Sequence, residues 1–87
     1  MISGRVHPGE VPASHTMSGV LKFLTSKDAR AEILRKNFVF KIVPMLNPDG
    51  VFHGHYRMDT LNQNLNRFYL NPDPLRQPSA YALRKLG

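Results

Sequence analysis

The chain has 87 residues, room for one small domain or part of a larger one. It has no cysteine, which excludes disulfides and thiolate-bound metal. Twelve Lys and Arg against six Asp and Glu give a net charge of +6. The basic residues are scattered from Arg5 to Lys85 rather than gathered in a stripe, which argues against a nucleic-acid partner.

The first ten residues, MISGRVHPGE, read as a strand end followed by a loop. They contain no apolar leader core, so no secretory signal is expected, and no stretch of the chain is apolar enough to span a membrane. From Pro12 to Thr25 the spacing predicts a helix, with Ala13, Met17, Val20, Leu21 and Leu24 on one face. Pro12 suits its first turn, where a missing N–H costs nothing. Ser26 is placed to cap a second helix running to about Lys36, with Asp28 near its start and Arg35 and Lys36 near its end.

Residues 38–46, FVFKIVPML, are the most apolar run and rich in β-branched and aromatic types, which predicts a buried strand. NPDG, residues 47–50, reads as a structural turn after it. VFHGHYR then resumes extended structure. Residues 58–74 hold four asparagines and two prolines without periodicity, which predicts a long loop. A last helix is expected over Ser79–Leu86. The order strand, helix, helix, strand is that of an α/β unit with a parallel crossover. One or two strands with three helices do not make a closed sheet.

Two places could carry chemistry. His7 and Glu10 flank a Pro-Gly turn, and imidazole nitrogen and carboxylate oxygen are ligands of hydrolytic zinc. Alone, the His-x-x-Glu spacing is a weak signal, since many such pairs are ordinary surface residues. Arg57 and Arg67 stand ten residues apart around the asparagine-rich loop, with Asn66 directly before Arg67. Arginine grips a carboxylate bidentately and asparagine adds a donor. His53 and His55 would face the same way on a strand, and His15 and Glu32 fall on helices in surface-type patterns.

HPGE, then PMLNPDG, then Arg57, then NLNR, in that order, resembles the M14 metallocarboxypeptidases and, within them, the cytosolic carboxypeptidase branch that removes glutamates from tubulin and other proteins. The resemblance runs over nearly the whole chain. It implies an α/β fold: part of a mixed sheet with helices on both faces, residues 1–87 being the N-terminal zinc-motif part of a peptidase M14 catalytic domain. It implies that His7 and Glu10 bind a catalytic Zn2+, that Arg57 stabilises the oxyanion, and that Asn66 and Arg67 hold the substrate's terminal carboxylate. Asn64 falls where more distant carboxypeptidases have an aspartate that orients the histidine ligand, and Asn62 stands where a glycine is expected. The family's second zinc histidine and its general-base glutamate lie farther along than Gly87, so the chain alone is expected to be inactive. The implied partners are polyglutamylated protein tails such as tubulin, met in the cytoplasm, on microtubules or in the nucleus. A non-catalytic binder of acidic peptide tails is the alternative that the net charge permits.

Overall fold

The computed structural model describes residues 1–87. Two short strands lie side by side, β1 (Ile2–Ser3) and β2 (Ile42–Val43), parallel, with Ile2 opposite Ile42 and Ser3 opposite Val43. Parallel strands cannot be joined by a hairpin. Here α1 (Val11–Leu24) and α2 (Ala29–Asn37) make the crossover, as the chain order predicts. After β2 come α3 (Pro48–Phe52), one 3₁₀ turn (Leu65–Arg67) and α4 (Pro78–Leu86). No helix is long and apolar enough to cross a membrane.

Part of the core lies where α1 and α2 meet; the other buried apolar residues are Leu46, Leu65, Ala80 and Leu83. Met17 and Leu24 of α1 are buried, while Ala13, Val20 and Leu21 beside them are half-buried, so the predicted face is the one that packs. Ala31 of α2 is fully enclosed, its small side chain letting the two helices approach. Arg35 on α2 reaches back and donates to the carbonyls of Leu24 (2.6 Å) and Ser26 (2.9 Å), satisfying acceptors at the end of α1.

The cap of α2 differs from expectation. Ser26 closes α1 instead, donating to Phe23 O at 2.7 Å. Asp28, in extended backbone, is the residue that accepts from Arg30 N (2.9 Å) and so caps α2. The Arg30 guanidinium bonds the same carboxylate and, with the backbone N–H, holds the Asp28 pKa down to about 2.

The run 38–46 is not a buried strand. Only Ile42–Val43 pair, and both are half-buried. Phe38 and Val39 are 62% and 89% exposed. A strand is buried by its neighbours, and here β1 supplies a partner for two residues only. NPDG is not a free turn either. Asn47 caps α3 and Pro48 opens its first turn, a pairing that pre-organises a helix. VFHGHYR is not extended: it completes α3 at Phe52 and reverses at Gly54, whose φ of +72° only glycine adopts at low cost. The 58–74 loop is confirmed apart from its one 3₁₀ turn.

Leu24→Ala removes buried methyls from the α1–α2 contact and is expected to cost about 2–5 kcal/mol in urea unfolding; an unchanged midpoint would contradict this packing. Because the Asp28 pKa is depressed, its contribution is fully present above the unfolded carboxylate value and is lost as pH falls through about 2. An NMR titration of Asp28 should therefore find its midpoint near 2; a midpoint at the unperturbed carboxylate value would contradict the Arg30 pairing.

Candidate metal centre

The loop after β1 carries His7 and Glu10, and hydrogen bonds at Gly4, Arg5 and Gly9 fix its path. Gly4 N donates to Val43 O (3.0 Å) and Leu46 N donates to Gly4 O (2.9 Å), which keeps the loop's start laced to β2. Arg5 then takes a left-handed backbone, φ +53°, a conformation costing a non-glycine residue about 1–2 kcal/mol. Its side chain offsets this by bonding Pro8 O (2.8 Å) and Ser14 Oγ of α1 (2.6 Å). Gly9 N donates to Tyr56 O at 2.7 Å. A Cβ at Gly9 would sit 2.5 Å from the Tyr56 ring, so only glycine fits there.

His7 is buried, 6% exposed, and both ring nitrogens have partners. Nε2 lies 3.0 Å from Asn64 Oδ1, and Nδ1 lies 2.9 Å from Glu10 Oε1. Asn64 Oδ1 also accepts from Asn66 N (3.2 Å), which identifies that atom as the carbonyl oxygen. Nε2 is therefore the N–H donor. Nδ1 and the Glu10 carboxylate oxygen then lie 2.9 Å apart, close enough for both to reach one metal ion. Imidazole and carboxylate suit zinc, and an outer partner on the far ring nitrogen is what a metal-binding histidine ordinarily has. These residues fit a zinc ion. No third His, Asp or Glu joins them in a cluster.

The other predicted residues border this centre by way of the backbone. Arg57 is half-buried in an open cleft of about 460 Å³ lined by His55, Tyr56, Met58, Asp59 and Asn62, next to the Tyr56 carbonyl that holds Gly9. Asn66 and Arg67 are exposed on the 3₁₀ turn, whose cap is the same Asn64 that holds His7. Asn62 has φ +57°, a left-handed position that asparagine tolerates well. Asp59, buried, accepts from Leu61 N (2.9 Å) and Gln63 N (2.8 Å) and shapes the turn between. His53 and His55 are not on a strand, though their rings are 5.9 Å apart. His15 is exposed, and Glu32 pairs with Lys36 on the surface of α2 (3.0 Å).

The model of the zinc carboxypeptidase family, Peptidase M14, matches residues 1–79. The chain belongs to the zinc carboxypeptidase family. It is 53% identical over 85 residues to cytosolic carboxypeptidase 6 of Caenorhabditis elegans and 55% identical over 86 to cytosolic carboxypeptidase-like protein 5 of Danio rerio. Each alignment covers 98% of this chain but 18% and 10% of those relatives, so the chain spans less than a fifth of their length. A metallo-carboxypeptidase of Burkholderia cenocepacia superposes with a TM-score of 0.91 at 38% identity, covering 98% of this chain and 24% of that one. A Pseudomonas aeruginosa metallo-carboxypeptidase in complex with (2-guanidinoethylmercapto)succinic acid gives 0.83 at 34%, covering 97% of this chain and 23% of that one. Helices and short parallel strands in this order are thus part of the zinc carboxypeptidase fold.

Arg5, which shapes the His7–Glu10 loop, was not singled out from sequence, and Gly9 was read only as half of the Pro-Gly turn. Gly9→Ala forces its Cβ into the Tyr56 ring and carbonyl. It is expected to break the Gly9–Tyr56 bond and cost about 1–3 kcal/mol by overpacking. Thermal unfolding of the variant checks this, and an unchanged melt would show that the loop yields freely.

Proposed function

We propose that residues 1–87 are the first zinc-motif part of a metallocarboxypeptidase catalytic domain, which removes C-terminal or side-chain-linked glutamates from protein tails such as those of tubulin. The observation that carries this reading is the His7 ring, held as an Nε2–H donor by Asn64 with its free nitrogen aimed at Glu10. The surface supports it too. The chain exposes 6206 Å², about 1,000 Å² more than the ~5,200 Å² expected of a folded monomer of its mass. Its radius of gyration is 14.5 Å, against roughly 12 Å for a compact domain of this length. A thin slab, 43 × 26 × 15 Å, with Phe38 and Val39 exposed, is what a layer cut from a larger domain looks like.

In this reading His7 and Glu10 are two of the zinc ligands. A third ligand and the general base come from outside residues 1–87. Zinc, when bound, supplies a Lewis acid and a position for the attacking water. Arg57 stabilises the oxyanion of the tetrahedral state, and Asn66 with Arg67 holds the free carboxylate that defines a carboxypeptidase substrate. Asn64 fixes the His7 tautomer with a neutral amide. The preference for glutamate rests on the resemblance of the motifs, and the net charge of +6 favours acidic tails. A cytoplasmic setting follows the names of the cytosolic relatives. With two ligands alone, residues 1–87 are expected to hold zinc weakly and turn over nothing.

In the full-length protein, His7→Ala should abolish stoichiometric zinc, and Asn64→Ala should weaken it about 10–100-fold in chelator competition. Arg57→Ala should lower kcat about 10²–10³-fold, whereas Arg67→Ala should also raise KM. Zinc retained by His7→Ala, or faster turnover of Lys-ending than Glu-ending peptides, would contradict the proposal.

A further inference from the structure

The proposed site draws on two loops far apart in sequence, one carrying His7 and Glu10, the other Arg57. One side chain binds both. Asn47 is 3% exposed. Its Oδ1 accepts from Gly50 N (2.9 Å), capping α3. Its Nδ2 donates to Met58 O (3.2 Å), the carbonyl directly after Arg57, and to Val6 O (3.4 Å), the carbonyl directly before His7. Its backbone N–H adds a bond to Arg5 O at 3.3 Å. The two loops also touch directly, through Gly9 N and Tyr56 O. Pro8 closes the joint from the other side: a Cβ on Gly50 would come within 2.6 Å of its ring.

We infer that Asn47 is a positioning residue that sets the His7–Glu10 loop at a fixed distance from Arg57. This rests on the proposed roles of those three residues. A carboxamide suits the task because one planar head offers an acceptor and two donors. The acceptor is used on the helix, and the donors span the two loops. Asn47 touches no reacting atom in this scheme. It acts by holding the oxyanion donor and the ligand loop in register, where a displacement of about 1 Å is enough to cost ~10²-fold in rate.

The cap and the joint can be separated. Aspartate and serine both cap helices well and neither can donate to Val6 O and Met58 O as the amide does. Asn47→Asp and Asn47→Ser are made in the full-length protein, and hydrogen exchange is read at the Gly50 and Gly9 amides alongside kinetics. Both variants should keep Gly50 protected, speed Gly9 exchange about tenfold, and lower kcat about 10²-fold with KM little changed. Should the buried carboxylate of Asn47→Asp prevent folding, the neutral Asn47→Ser decides. Unaltered Gly9 exchange would overturn the inference. So would equal acceleration at Gly9, Gly50 and throughout α1, which marks a general stability residue. A wild-type protein without zinc or turnover would sink the proposed function, and the comparison of Gly9 with Gly50 would still decide whether Asn47 joins the loops.

Discussion

A buried imidazole has two polar atoms to satisfy, and at His7 that requirement organises the region around it. The residue is 6% exposed, so water cannot serve both nitrogens, and each unsatisfied polar atom would cost about 1–3 kcal/mol. Asn64 takes Nε2 from 57 residues away, which draws the asparagine-rich loop onto the HPGE loop. Glu10 faces Nδ1 across the Pro8-Gly9 turn. Asn64 also caps the 3₁₀ turn bearing Asn66 and Arg67. One hydrogen bond to the ring thus orients it, leaves Nδ1 facing Glu10, and ties the turn bearing the proposed carboxylate-binding pair to the His7 loop.

The scaffold beneath is thin. Two two-residue strands and a pair of packed helices are the regular elements nearest the loop in sequence, and 14 of 87 residues are buried. Such a layer places side chains through loop contacts more than through core packing. That is why Arg5, Gly9 and Asn47, each bonding one loop to another element, bear on the site as much as His7 and Glu10 do. The exposed Phe38 and Val39 belong with this: an apolar sequence without a sheet to cover it stays on the surface.

The sequence made α1, α2 and α4 legible because their signals are local, while α3 was read as a turn and extended chain. The face of α1 and the α/β crossover follow from spacing alone, and Pro12 marks the first turn. Residues 38–46 were misread because β-propensity reports compatibility with a covered pleated surface, and whether cover exists is a tertiary fact. NPDG was misread although its signal was present: Asn before Pro is an N-cap followed by a first helical turn, and a turn reading uses the same residues. At the site, the pairing of His7 with Glu10 was legible from a spacing of three, and its meaning came from motif order. The clamp of Arg5 on Ser14 and the reach of Asn47 to Val6 and Met58 left no mark in spacing. They depend on where loops meet in space.

We propose His7 and Glu10 as part of a zinc centre. Zinc-edge X-ray absorption on the purified full-length protein tests it most directly. One zinc is expected, with nitrogen and oxygen neighbours at about 2.0–2.2 Å and no sulfur, and with loss of one imidazole contribution in His7→Ala. An imidazole shell that His7→Ala leaves unchanged, or a shell containing sulfur, would contradict it.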